Sequence, residues 1–203
     1  MDINVINNVP NINVTVNQND DGSLAIIVKE KGKPLSEYKP GETAVIGNRE
    51  YIILDCLDNY TKVISKDFLY SSSFGDNNDW RKSKIREKLN GKVYKELASI
   101  VGKDNIITMT RDLTAMDGSG SYGTCEDKIS LLTFDEYRKY HEILGIEINY
   151  PDWWYLITPA SMRKNYARGV CYVNSSGVPF WGVCDYSVGV RPFCILKSSV
   201  LTS

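Results

Sequence analysis

"ARGVCYVNSSGVPFWGVCDYSVGVRPFCIL", residues 167–196, decides how the chain is read. It sets aromatic rings beside small polar residues and glycines, then closes on the apolar run "GVRPFCIL". Neither a packed core nor an ordinary surface loop needs that mixture. The last run reads as a closing strand, with Val190, Phe193, Ile195 and Leu196 mainly inward. Arg191 within it is expected to be structural, its guanidinium tying several backbone carbonyls together.

Between these anchors Asn165, Tyr166, Arg168, Tyr172, Asn174, Ser175, Phe180, Trp181, Asp185, Tyr186 and Ser187 alternate with Gly169, Gly177, Gly182 and Gly189. Tyr and Trp offer large contact area for few frozen torsions, and Ser, Asn and Gly offer adaptable hydrogen bonds, as in an antibody paratope. Those polar and aromatic residues form the candidate ligand-binding set. The competing reading is ordinary hairpins with a few exposed rings. Just upstream, "PDWWYLITP" (151–159) sends successive rings of Trp153, Trp154 and Tyr155 to opposite faces of a strand, one set filling the core.

Working toward the N-terminus, "TFDEYRKYHEIL" (133–144) is a helix whose Thr133 and Glu136 have capping-box spacing. In 78–102, Ile85, Leu89, Val93, Leu97 and Ile100 recur at helical spacing. Asn78 or Asp79 can cap the start, and Asn90-Gly91 divides the segment into two helices. A strand at 105–110 and a glycine-rich irregular stretch, "DLTAMDGSGSYGTCEDK" (112–128), lie between the helical units. Residues 43–66 read as three short strands with turns at Gly47-Asn48 and Asp58-Asn59.

At the start, Ile3, Val5, Val9, Ile12, Val14 and Val16 alternate with polar residues, interrupted at Pro10. The turn "NDDGS" (19–23) and the strand "LAIIVKE" (24–30) complete a β-hairpin arm. An isolated hairpin is marginal in water, so its apolar face must pack on the main domain or on a neighbouring chain. "KGKPLSEYKPG" (31–41) reads as a linker. The expected division is an arm and linker over 1–38 and a binding domain over 39–203. Strands, then helices, then strands again point to an α+β fold.

With 24 basic and 25 acidic residues in 203, the chain gives no electrostatic reason to expect nucleic acid or an anionic membrane as partner. It has no apolar run of the roughly 18 residues that membrane insertion requires. Its first residues carry no continuous apolar core, so no secretory signal is read there, and the expected location is the cytoplasm, or a virion. The five cysteines show no CxxC pair and read as reduced, small hydrophobic residues. Cys171 and Cys184 could face each other across a hairpin, but spacing does not establish a bridge. With His141 the only histidine, no zinc site is expected, and no cofactor.

Catalytic motifs such as GxSxG, HExxH, the P-loop and GxGxxG are absent from the sequence. His141 sits mid-helix without an evident nucleophile to serve. "NQNDDGS" approaches a calcium loop at Asn17, Asn19, Asp21 and Gly22, but its twelfth position is Val28, and a hairpin turn explains it better. Carboxylate pairs for glycoside hydrolysis assemble in space, and the sequence singles out none.

"FGDNNDWRKSKIREKLNGKVYKEL", "DKISLLTFDEYRKY", "WWYLITP" and "GVRPF" resemble an uncharacterised domain family of bacteria and their phages, over roughly residues 42–198. The last third is similar to the C-type-lectin-like, formylglycine-generating-enzyme-like fold. The resemblance implies an α+β, C-type-lectin-like domain with two to three helices and short antiparallel strands that display a variable ligand surface. Some relatives of that fold are diversified by retroelements that randomise adenines. The Asn, Ser, Tyr, Asp and Gly codons of 165–188 fit such a scheme, whereas Trp181 does not. The calcium-dependent sugar motifs and the paired cysteines of the oxidase-like relatives are missing.

The expected function is a non-enzymatic protein that binds a protein or glycan ligand or receptor, phage-associated, with residues 1–30 available for self-assembly or particle attachment. The alternatives are an intracellular inhibitor of a host protein and a glycan-acting hydrolase.

Overall fold

A computed structural model describes residues 12–30, 32–144 and 153–203. The expected strand through Ile3, Val5 and Val9 with its break at Pro10, and Pro151-Asp152 of the tryptophan strand, lie outside the described residues.

The alternation at the start forms β1 (Ile12–Gln18) and β2 (Leu24–Glu30), antiparallel with Val14 opposite Val28 and Val16 opposite Ile26. The turn between them needs Gly22 at φ 83°, a left-handed conformation that costs glycine least. Val14 and Val16 are half-buried while Leu24, Ile26 and Ile27 stay exposed. The segment read as a linker is stitched to the C-terminal segment. Leu35 is fully buried and its N–H donates to the Val200 carbonyl at 2.9 Å, while Ser36 N–H donates to Ser198.

The three strands read over 43–66 are β3 (Thr43–Ile46), β4 (Arg49–Cys56) and β5 (Tyr60–Ser65), followed by β6 (Tyr70–Ser72). After a 3₁₀ turn at Trp80–Lys82 come α1 (Lys84–Lys88), a π-helical turn at Leu89–Val93, and α2 (Tyr94–Val101). Asn90-Gly91 therefore bulges one continuous helical segment instead of dividing it. Asp79 caps the 3₁₀ turn and Ser83 caps α1, its Oγ accepting from Ile85 N–H at 3.1 Å. The remaining elements are β7 (Ile106–Ile107), β8 (Met109–Asp112), β9 (Thr124–Asp127), β10 (Ile129–Ser130), α3 (Phe134–Leu144), β11 (Trp154–Pro159), β12 (Gly169–Val173), β13 (Pro179–Val183), β14 (Val188–Val190) and β15 (Phe193–Lys197). The capping box opens α3 as read: Glu136 N–H donates to Thr133 Oγ1 at 3.1 Å, and Thr133 N–H to Glu136 Oε2 at 2.8 Å.

Two larger sheets carry the core. One runs β10-β15-β5-β4-β3 with β7 also on β15; the other runs β13-β12-β11-β14-β6. Hairpins β1-β2 and β8-β9 stand as separate two-stranded sheets. The expected closing strand is in fact two strands in different sheets, β14 and β15, broken at Arg191-Pro192. Proline has no N–H for a ladder, so the chain crosses from sheet to sheet there. Buried Arg191 donates from Nε to the Ser65 carbonyl at 2.6 Å, and its guanidinium lies 5.2 Å over the Trp154 ring.

The expected α+β, C-type-lectin-like arrangement is overturned. Strands hold 39% of the described residues against 23% helical, spread over several sheets, with two helical segments of more than one turn. β6 and β10 span too few residues to leave a periodic pattern, and β9 lies in the glycine-rich stretch that reads as irregular, so the sequence shows fewer strands than form. All five cysteines are free, and Cys171 pairs in register with Trp181, not with Cys184.

Candidate functional site

The paratope-like segment builds on the β12–β13 hairpin. In its register Tyr172 faces Phe180 and Cys171 faces Trp181, so the two pairs point to opposite sides of the sheet. Tyr172 lies edge-on to Tyr155, with centroids 5.7 Å apart, and is 1% exposed. It is a core residue, not a ligand contact. Its hydroxyl fills the space where Gly182 lacks a side chain: a Cβ there would lie 1.5 Å from Tyr172 Oη. Phe180 packs beside it and is half-buried.

On the other side Trp181 stands 49% exposed on the edge strand, its ring over Gly169, where a Cβ would come within 3.3 Å of Cε3. Tyr166, 48% exposed, meets Trp181 edge-on at 6.0 Å and 77°. Asn165, Ser175, Asp185, Tyr186 and Ser187 are also exposed, and Arg168 pairs with Asp185 at 2.6 Å. Asn174 instead holds the hairpin turn, its Oδ1 accepting from Ser176 and Val178 N–H at 2.9 Å each. The turn carrying Asn174 and Ser175 lies at the end of the hairpin opposite Arg168 and Asp185, so the predicted residues do not share one face.

Tyr166 and Trp181 border a cleft of about 270 Å³ completed by Asp117, Ala160, Ser161 and Arg163. Asp117 Oδ1 accepts from Ser119 Oγ at 2.6 Å and Ser119 N–H at 3.1 Å, and its Oδ2 accepts from Ser161 Oγ at 2.6 Å. The Ser119 and Ser161 hydroxyls hold its carboxyl down at about 2, so it is ionised across the neutral range. Arg163 Nε stands 3.9 Å from Oδ2. Buried Asn78 fixes the rim: Nδ2 donates to the carbonyls of Ser161, Tyr166 and Gly169 at 2.7–3.1 Å, and Oδ1 accepts from Tyr122 Oη at 2.8 Å. Read as a possible helix cap, Asn78 is a clamp on the cleft.

Asp117, Ala160, Ser161 and Arg163 were missed in the sequence. Asp117-x-Ser119 is a local Asp-to-backbone turn, but the same pattern occurs at Asp21-x-Ser23 and Asp112-x-Thr114. Spacing alone therefore cannot pick the one beside Trp181. His141 lies on α3 with Nδ1 2.9 Å from the Arg138 carbonyl. Among the described residues, no group of three or more His, Cys, Asp or Glu could hold a metal ion, and no helix is long and apolar enough to cross a membrane.

No curated protein and no solved structure matches the chain. Residues 58–198 match a family described as a domain of unknown function, DUF6273. That span takes in α1, α2, α3 and every residue of the cleft, and covers more than half of the sequence. The chain belongs to the DUF6273 family.

Proposed function

We propose that this is a non-enzymatic ligand-binding protein whose recognition surface is the cleft between Tyr166 and Trp181. The observation that carries the reading is that two large rings stand half exposed at the mouth of a concavity whose polar groups are already held in place. Exposed rings of this kind, clustered beside oriented polar groups, typify binding hot spots. The lining supports binding over glycoside hydrolysis, which needs a pair of carboxyl groups: among the residues that line the cleft Asp117 alone carries one, and it serves as a hydrogen-bond acceptor for Ser119 and Ser161. The ligand is a protein or a glycan, met either on a cell surface or inside a cell.

The test compares the full chain with the Tyr166→Ala/Trp181→Ala double variant, in binding to intact bacterial cells and in capture of proteins from their lysate. Binding by the parent and not the variant, at equal urea midpoints, supports the reading. Equal binding by both removes the cleft from it. Signal on cells separates a surface receptor from an intracellular target.

A further inference from the structure

We propose that the ligand of this cleft is a saccharide, a pyranose ring lying on Trp181 while its hydroxyls reach Asp117 and Arg163. This rests on the recognition reading above and names the chemistry that the cleft fits.

Charge balance makes the first selection. Asp117 and Arg163 place one negative and one positive group at the same cleft, 3.9 Å apart, too far for a good hydrogen bond. A cationic ligand would have to compete with Arg163 for the carboxylate, and an anionic one would face Asp117. A purely apolar ligand would strip water from both charges and return no hydrogen bonds. A neutral polyol meets none of these costs, because each hydroxyl can donate to the carboxylate and accept from the guanidinium.

Hydrogen-bonding capacity makes the second. An ionised carboxylate offers about four acceptor sites. Ser119 uses Oδ1 twice and Ser161 uses Oδ2 once, which leaves Oδ2 able to accept from a ligand hydroxyl. The Arg163 side chain is 81% exposed, so its donors can turn toward a ligand.

The rings make the third. Tyr166 and Trp181 are nearly perpendicular, so one ring face can underlie a ligand while the other ring walls its edge. A pyranose has the matching shape, with a C–H face for the ring and hydroxyls around its rim. The groups are also fixed beforehand: Trp181 sits over Gly169, the Tyr166 carbonyl is held by Asn78, and Asp117 by two serines. Fixed groups lose little freedom on binding, which matters for a weak, shallow contact.

The test applies a broad glycan array, then calorimetry with each oligosaccharide found, to the full chain. A dissociation constant of about 0.1–1 mM is expected for a contact of one or two sugar rings. Trp181→Ala and Asp117→Asn should each weaken it at least about tenfold, while Leu57→Ala, an exposed apolar change at the β4–β5 turn, should leave it unchanged. Urea midpoints check that the variants are folded. No glycan bound, or binding that ignores Trp181 and Asp117, overturns the proposal. A random peptide library panned on the same protein separates the two levels. Peptides that require Trp181, with no glycan bound, sink the saccharide and leave the recognition cleft; failure of both arrays sinks both.

Discussion

The Trp80 indole donates a 2.7 Å hydrogen bond to Asp127, a carboxylate with no side-chain exposure, 47 residues further along the chain. Arg86 Nε reaches the other Asp127 oxygen at 2.7 Å, and Asn90 Nδ2 approaches it at 3.3 Å. Asn90 Oδ1 in turn accepts from the N–H groups of Lys128 and Ile129. Trp80, Arg86 and Asn90 thus anchor one helical segment to the end of β9. All three lie in "FGDNNDWRKSKIREKLNGKVYKEL", one of the stretches that resemble an uncharacterised family, and their work here is to hold the fold.

Asp127→Ala should therefore be costly. It leaves the buried indole N–H without its acceptor and the Arg86 guanidinium without its counter-charge. Removing one partner of such a buried pair costs about 3–5 kcal/mol. Urea unfolding measures it; a loss under about 1 kcal/mol would mean that water reaches these donors and that the hub is not a hub.

Tyr172 and Trp181 lie on neighbouring strands and should answer substitution in opposite ways. Tyr172→Ala empties a core site and should cost about 3–5 kcal/mol. Gly182→Ala, which drives a methyl group into the Tyr172 hydroxyl, should cost about 1–3 kcal/mol. Trp181→Ala should stay within about 1 kcal/mol, because half of its surface is already in water. Similar losses for Tyr172→Ala and Trp181→Ala would place Trp181 in the core and remove it from any ligand surface.

What was legible in the sequence was local. The Thr133–Glu136 capping box spans a single helical turn, and the hairpin turn at 19–23 is contained in five residues. The structural role of Arg191 was also legible, because a guanidinium inside an apolar strand needs partners. The cleft was half legible: Tyr166 and Trp181 stand out by composition, but Asp117 joins them only through the packing of 112–128 against 160–169. The fold class misled because β6 and β10 are too short to show alternation, because β9 is hidden in the glycine-rich 112–128 stretch, and because "GVRPFCIL" looks continuous until Pro192 is seen dividing it between two sheets. Tyr172 misled for a related reason: only the register of β12 on β13 tells which side of the hairpin a ring takes.

Acid should loosen the protein through its paired carboxylates, and Glu136 is the clearest case. Burial pulls its carboxyl up, but two hydrogen bonds and the charge of buried Arg111 outweigh that and hold it below the ordinary 4.5. Asp79 behaves alike: burial raises it, and Arg81 more than compensates, to below 3.8. A carboxyl lowered on folding binds fewer protons in the native than in the unfolded state. Its contribution is complete above the ordinary value and drains away as pH falls through the native one. The melting temperature should thus be level from pH 8 to about 5 and decline below about 4.5. Glu136→Gln should start lower at pH 7, since Arg111 loses its counter-charge, and should decline less steeply in acid, since one of the titrating groups is gone. Calorimetric scans of both proteins between pH 2.5 and 8 read this directly. Parallel acid limbs for the two would show that Glu136 carries none of the pH dependence and that the Arg111 pair does not stabilise the native state.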